Sequence, residues 1–348
     1  MRARIVRMTE EKLDREALAQ AGEILRQGGL VAFPTETVYG LGGNALDPEA
    51  SRKIYEAKGR PSDNPLIVHI ADLEHLEPLV EKIPEKARIL AKKCWPGPLT
   101  MIFSKSSLVP EATTGGLPSV AVRMPDHQVA LELIRQAGGY VAAPSANTSG
   151  RPSPTEAAHV EADLGDRIDM IVDGGPVGIG LESTIVDFTE EVPTILRPGY
   201  LNQQMLEELI GQVRMDRGLT LEAGVRPKAP GMKYKHYAPK GDLTIVEGPG
   251  QRVVEEINRL AQEKCLQGFR VGIIAVEETA PSYTQGMVKC IGSRKDEESI
   301  ARQLYRVLRD FDALEADYIY SEAFETPRMG QAIMNRLLKA AGHKIIKV

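Results

Sequence analysis

Leu30-Val31-Ala32-Phe33-Pro34-Thr35-Glu36-Thr37-Val38-Tyr39-Gly40-Leu41 is the stretch whose reading decides the fold of this chain. Its first four residues form an unbroken apolar run, too short for a helix, and Pro34 ends it. That pattern is a short buried strand. Just upstream, Asp14 to Gln27 has helical spacing. Asp14 suits an N-cap, Leu18, Ala21 and Leu25 share one face, and Gly28-Gly29 stops the helix. Downstream of the strand, two threonines, a carboxylate and a glycine crowd one turn. Loops at strand ends are where α/β folds place ligands. Thr and Glu also satisfy backbone groups in an ordinary capped turn, so both readings are open on these residues alone.

Working outward, Asp47-Pro48 pairs an N-cap with a first-turn proline, and the helix it opens runs to Lys58 and ends at Gly59. Residues 66–70, 99–103, 120–124, 140–143, 168–173, 184–188 and 194–197 read as strands. Helices are expected over 85–93 and 126–136. Helices and strands mix without strict alternation, which predicts an α/β domain with a twisted mixed sheet over residues 1–210. Residues 211–241 have a linker composition, with Arg226-Pro227, Ala229-Pro230-Gly231 and Ala238-Pro239. Yet Pro230 to Pro239 packs two tyrosines, two lysines and a histidine into that tether. It is either a strap between domains or a flap that reaches a site. From Asp242 to Val348 the pattern turns regular. Strands are expected at 243–246, 270–276, 288–291, 318–320 and 344–348, with helices at 252–264, 297–311 and 331–341. This is the pattern of a smaller, Rossmann-like doubly wound domain. No G-x-G-x-x-G follows its first strand, so a dinucleotide site is not indicated.

The 348 residues suffice for two ordinary domains, and 42% hydrophobic with 26% charged residues is a globular balance. A net charge of −5 gives no global drive toward nucleic acid or anionic membrane, so any basic site must be local. The three cysteines, Cys94, Cys265 and Cys290, are too far apart for a zinc or C-x-x-C site and read as reduced thiols of a cytoplasmic protein. Residues 1–14 lack the apolar core of a signal peptide, and no run of apolar residues is long enough to span a membrane.

Chemistry concentrates in a few segments. Lys58-Gly59-Arg60-Pro61-Ser62-Asp63-Asn64-Pro65 places two cations at a helix C-terminus, where they complement the dipole. Arg60 is also fixed between Gly59 and Pro61, and a stiff loop with an Arg fork and a Lys point charge suits phosphate or carboxylate recognition. Asn64 adds an orienting amide. His69, alone in its strand, has the usual setting of a satisfied core histidine. Arg123, near the end of the strand Val120 to Met124, is either a structural ion-pair partner or a carboxylate clamp. Ala143-Pro144-Ser145-Ala146-Asn147-Thr148-Ser149-Gly150-Arg151-Pro152-Ser153 is a small-polar loop able to bind phosphate oxygens and a sugar, or an ordinary turn. Gly174 to Gly180 is a further flexible loop, followed by Glu182-Ser183-Thr184, and Arg197 ends the next strand. There is no G-x-x-x-x-G-K-[ST], no H-E-x-x-H and no G-x-S-x-G. No protein-held metal is indicated.

Seven strings then occur in one order: FPTETVYGLG from Phe33, KGRP-x-x-NPL from Lys58, WPGPLT from Trp95, VAVRMP from Val120, APSAN-x-SG from Ala143, ESTIVD from Glu182 and PGMKYKHYAP from Pro230. Over nearly its whole length the chain resembles the YrdC-type threonylcarbamoyl-AMP synthases in their two-domain form, of which the last string is the hallmark. The resemblance implies condensation of L-threonine, bicarbonate and ATP to threonylcarbamoyl-AMP and pyrophosphate. Downstream threonylcarbamoyl transferase proteins then modify an adenosine beside the anticodon of certain tRNAs. The family's K-x-R and S-x-N signature falls on Lys58, Arg60, Ser145 and Asn147, which it implies are catalytic. It implies Thr35, His69, Arg123, Ser145 and Ser183 around threonine. Around ATP it implies Arg60, Asn64, Ser119, Ala143, Ser153 and Arg197, with Tyr234 or Tyr237 closing over the site. It further implies Mg²⁺ bridging the phosphates, held mostly by ATP and water. Ala229 and Lys235 stand where the family has Ser and Arg, and Ser119 where Thr is common. Two other classes compete: an RNA-binding module without catalysis, and a related carbamoyltransferase.

Overall fold

A strand that is apolar at every residue needs cover on both faces of its sheet. The computed structural model describes residues 2–216, 236–324 and 327–348, and it supplies that cover. The chain divides into two units. Among the described residues the first holds 2–149, 153–178 and 182–216, and the second holds 150–152, 179–181, 236–324 and 327–348.

The first unit runs β1 (Arg4–Arg7), α1 (Arg15–Arg26), β2 (Val31–Phe33), β3 (Gly40–Asn44), α2 (Pro48–Lys58), β4 (Ile67–His69), α3 (Glu85–Cys94) and β5 (Leu99–Ser104). It continues with α4 (Glu111–Thr114), β6 (Ser119–Arg123), α5 (Gln128–Gln136), β7 (Val141–Ala142), α6 (Ala157–Leu164), β8 (Met170–Asp173), β9 (Thr184–Asp187), β10 (Thr194–Arg197), α7 (Gln203–Ile210) and β11 (Arg214–Met215). The described strands form one mixed sheet, ordered β1-β8-β2-β3-β7-β4-β6-β5-β9-β10-β11. The period of two along each strand distributes its residues between two cores. Ala32, Ala142 and Ile171 enter one, while Val31, Phe33, Val141, Met170 and Val172 enter the other, beneath α1 and α5. That double burial is why the Leu30 to Phe33 run carries no polar alternation.

The helix signals act as expected. Asp14 accepts from the Ala17 N–H, and Asp47 accepts from the Glu49 N–H with Pro48 in the first turn. Gly59, at φ 60°, ends α2 in the left-handed conformation that glycine tolerates without penalty. The Gly40–Asn44 stretch, read from sequence only as part of a loop, is a strand pairing with both β2 and β7. A Cβ at Gly42 would lie 3.0 Å from both Phe33 Cε1 and Val141 Cγ1, so glycine is what lets those side chains cross it. β1, β11 and the short helices α4, α6 and α7 are further elements absent from the sequence reading.

In the second unit, β12 (Asp242–Glu247), α8 (Gly250–Leu266), β13 (Val271–Ala275), β14 (Met287–Cys290), α9 (Glu297–Ala313), β15 (Tyr318–Glu322), α10 (Gly330–Ala340) and β16 (Ile345–Lys347) follow in turn. All the described pairings are parallel, in the order β14-β13-β15-β12-β16. The parallel α/β expectation is met. The strand order differs from the two common doubly wound arrangements.

Candidate active site

β4, β6 and β5 carry the floor of the site. His69, Arg123 and Thr100 stand opposite one another in register across these three neighbouring strands. The period of two places them on the same face as Ile67, Ala121 and Ile102, which form a small apolar cluster with Ile185 and Leu196. A buried row of His, Arg and Thr therefore interrupts an otherwise apolar surface. The Thr100 hydroxyl lies 2.7 Å from the Ser183 hydroxyl, and Ser183 also takes two donors from Arg197, on its carbonyl at 3.1 Å and its hydroxyl at 3.2 Å.

The turn after β2 leans on this row. Thr35 Oγ1 donates to the Val38 carbonyl at 2.7 Å and accepts from the Thr37 and Val38 N–H groups, which fixes the turn. The sequence reading of a capped turn is thus borne out for Thr35. Glu36 at its tip reaches across to Arg123, whose Nη2 donates to Glu36 Oε2 at 2.6 Å. Arg123 is buried and Glu36 partly so, and the other halves of the pair are unmatched. Neither Glu36 Oε1 nor Arg123 Nε has a hydrogen-bond partner. His69 is neutral in this setting. Burial, reinforced by the nearby Arg123 charge, pushes its pKa down to about 3, and its Nδ1 lies 3.1 Å from the Ile67 carbonyl.

The Ser145 loop is tied to both neighbours. Leu41 N–H donates to the Pro144 carbonyl and Ala146 N–H to the Tyr39 carbonyl, each at 2.8 Å, and Gly40 bridges to Ser145. Lys58, almost wholly buried, turns its ammonium onto the carbonyls of Ser145 and Asn147. Ser145 Oγ donates to Asn147 Oδ1 at 2.6 Å, and Ser149 N–H returns to the Lys58 carbonyl at 2.8 Å. The structure thus brings Lys58, Ser145 and Asn147 into one knot, while Arg60 folds over its own loop, donating to the carbonyls of Asn64 and Pro65 at 3.3 and 3.1 Å. Asn64 is buried and its Oδ1 has no partner. Ala143 N–H donates to the Ile67 carbonyl at 2.9 Å, which sets this residue beside β4. Ser153 is buried and donates to Glu182 Oε1 at 2.5 Å. Ser119 opens β6, at the end opposite Arg123.

Comparison with known proteins decides the family. Residues 23–199 match the Sua5/YciO/YrdC family model, described as telomere recombination. Residues 201–342 match the model of the threonylcarbamoyl-AMP synthase C-terminal domain. The chain belongs to the threonylcarbamoyl-AMP synthase family. The Bacillus subtilis threonylcarbamoyl-AMP synthase is 51% identical over 331 residues, covering 95% of this chain and 94% of its own. The Pyrococcus abyssi threonylcarbamoyl-AMP synthase is 48% identical over 344 residues, covering 99% of each. The crystal structure of P. abyssi Sua5 complexed with L-threonine superposes with a TM-score of 0.93 at 46% identity, covering all of both chains.

Within this family frame, Tyr237 lies in the second unit, buried, at φ 65°, with its ring stacked on Tyr305 at 5.2 Å between centroids. Tyr234 lies outside the described residues. Sequence reasoning passed over Glu36 as a partner of Arg123, Thr100 as the partner of Ser183, and Glu182 as the acceptor for Ser153. Thr100 was the one that could have been found, since it sits in β5 at the period-two spacing of Ile102, among residues that are otherwise apolar.

Proposed function

We infer that this chain is a threonylcarbamoyl-AMP synthase, condensing L-threonine, bicarbonate and ATP to threonylcarbamoyl-AMP and pyrophosphate, a nucleotidyl transfer. The observation that carries this reading is the buried row of His69, Arg123 and Thr100 with Ser183, in a chain of this family. An arginine held by a single carboxylate oxygen, with one of its donors unmatched, suits the carboxylate of an amino acid. Neutral His69 and the hydroxyls of Thr35 and Ser183 suit the remaining polar atoms of threonine.

The chemistry asks little of the enzyme as a nucleophile. Threonine's amine and bicarbonate give an N-carboxy intermediate, whose carboxylate attacks the α-phosphorus while pyrophosphate leaves. The protein's part is to bring anions together and to neutralise charge as it develops at phosphorus. Arg60 and Arg197 are the cations assigned to ATP, with Asn64, Ser119, Ala143 and Ser153 orienting the nucleotide. Lys58 acts by holding the Ser145 and Asn147 segment in register against α2, so that the loop's N–H and hydroxyl groups face the phosphates. Tyr237, and Tyr234 in the same segment, are assigned to retention of the nucleotide.

Magnesium fits as an ion carried in with the triphosphate. Among the described residues no group of three or more His, Cys, Asp or Glu side chains could hold a metal ion, and the ion would be held mostly by ATP and water. When bound it neutralises phosphate charge. The product serves downstream transferase proteins that modify tRNA in the cytoplasm. Among the described residues no helix is long and apolar enough to cross a membrane.

The test is pyrophosphate release from ATP. Release is expected only when threonine and bicarbonate are both present. Release indifferent to either co-substrate overturns the reading.

A further inference from the structure

The amino group that begins this reaction arrives as an ammonium, which has no lone pair with which to attack bicarbonate. Something must take its proton. We propose that Glu36 is a catalytic residue that accepts this proton from the bound threonine. The proposal rests on the reading of the chain as a synthase that carboxylates threonine.

The geometry points to Glu36 in three ways. First, among the described residues it is the carboxylate that Arg123 holds, with Nη2 to Oε2 at 2.6 Å. Second, the pair is incomplete. Arg123 Nε is a buried donor without an acceptor, and Glu36 Oε1 is a buried acceptor without a donor. Such groups are costly to leave unmatched and are rare without a functional reason. An α-amino acid offers the missing complement: a carboxylate for the arginine and, one carbon away, an ammonium for the glutamate. When the substrate carboxylate docks on Arg123 it competes with Glu36 for the guanidinium. The glutamate so displaced lies beside the α-nitrogen. Third, Thr35 locks the turn that presents Glu36, so the carboxylate stays within reach.

The other titratable groups nearby suit the task less well. Arg123 accepts no proton. His69 shares the floor with Arg123 and is held neutral by burial and that charge, so taking a proton there is strongly disfavoured. His127 is likewise disfavoured by burial, and its Nδ1 lies 3.8 Å from Glu10 Oε2. Glu10 itself is engaged by the Gln128 N–H at 2.7 Å. Burial, with the charges of Glu36 and Glu10, raises the pKa of Asp126, but nothing ties that side chain to the arginine.

The step balances. One N–H bond of the ammonium breaks, its proton passes to Glu36 Oε1, and the electron pair stays on nitrogen. That pair forms the C–N bond to bicarbonate. A second amine proton leaves with the departing hydroxide as water, and protonated Glu36 returns its proton to solvent.

The experiment compares wild type with Glu36→Gln across pH 6.5 to 9 at fixed bicarbonate, following pyrophosphate release that depends on threonine. At pH 7 the variant is expected to lose about 100-fold in kcat, the usual size of a general-base contribution. Its rate relative to wild type should then rise about tenfold per pH unit, because solvent deprotonates the amine that Glu36 no longer can. A rate within about threefold of wild type at pH 7 overturns the proposal, as does a loss equal at every pH, which marks a positioning role. If Glu36→Gln fails to fold by thermal melting, Glu36→Ala decides. A loss that shrinks as the amine titrates supports the proposal, and a loss equal at every pH overturns it. Wild type that releases no pyrophosphate in response to threonine and bicarbonate refutes the functional reading itself, and with it the proposal.

Discussion

Lys58 and Arg123 are both cations buried in the first unit, and their surroundings satisfy them in opposite ways. The Lys58 ammonium meets the carbonyls of Ser145 and Asn147, with Asn147 Oδ1 at 3.5 Å. Its acceptors are backbone and amide oxygens belonging to one loop, and the loop is bonded back to α2 through Ser149. Arg123 meets a single carboxylate oxygen and keeps a buried Nε unmatched. A cation whose donors are used up stabilises a shape. A cation with a donor and a neighbouring acceptor both unspent has room for a further partner. The candidate site therefore contains two kinds of buried cation, and residue type alone does not separate them.

The largest effect should come from breaking the satisfied side. Lys58→Met keeps length and burial but removes the donor from two carbonyls. Stranding these groups is expected to cost about 3 kcal/mol. For a unit of this size that is a fall of about 6–12 °C in Tm. Activity should fall more than about 100-fold, because the Ser145 loop loses its register against the substrate. Calorimetry checks the first and pyrophosphate release the second. Lost activity at an unchanged Tm would mean that Lys58 acts on substrate charge, and the comparison would collapse.

Breaking the unsatisfied side should look different. Arg123→Ala is expected to raise the threonine KM about 30-fold, the worth of a charge-assisted carboxylate contact, with little change in the KM for ATP. Equal effects on both substrates would show that Arg123 shapes the floor and does not read the amino acid.

His69 sharpens the same contrast through pH. Its pKa in the folded chain is about 3, against an ordinary value of 6.5. A depressed pKa means the unfolded chain binds the proton more readily between these values. Stability is thus fully present above pH 6.5 and is lost as pH falls toward 3, by about 1.4 kcal/mol per unit at most. His69→Gln should flatten the pH dependence of Tm between 6.5 and 4.5. A slope unchanged by the substitution would place the acid-sensitive group elsewhere.

How much of this was legible in the letters follows from what each contact is made of. The Leu30 to Phe33 strand and the caps at Asp14, Asp47 and Gly59 are written in side chains, and they read correctly. The Gly40–Asn44 strand was missed because three of its five residues are glycines and carry no alternation. The Lys58 contacts were invisible for a related reason: two of its acceptors are carbonyls, which every residue has and no letter marks. Glu36 was noticed as a carboxylate in a turn, but its partner lies 87 residues away, and only sheet registration brings β6 beside the turn's reach. The ordered strings identified the family and singled out candidate site residues. They did not say which of those residues have their polar groups engaged within the fold and which keep one unmatched.

The smallest effect belongs to a pair that resembles Arg123 and Glu36 on paper. In the second unit Glu322 is buried at the end of β15 and takes Arg294 Nη2 on one oxygen at 2.6 Å. Its other oxygen is matched, accepting from the Tyr283 hydroxyl at 2.9 Å and from Thr279. Burial and the adjacent Glu322 charge raise the Tyr283 pKa, which keeps that hydroxyl a donor. Arg294 is more than a third exposed, so water screens its charge and can replace it once it is gone. Arg294→Ala should therefore cost about 1 kcal/mol or less, a Tm change of at most about 8 °C for this smaller unit. Pyrophosphate release should be unchanged. A loss of stability as large as that of Lys58→Met would show that one unmatched carboxylate oxygen matters more than partner count. The distinction between satisfied and open ion pairs would then have to be redrawn on burial alone.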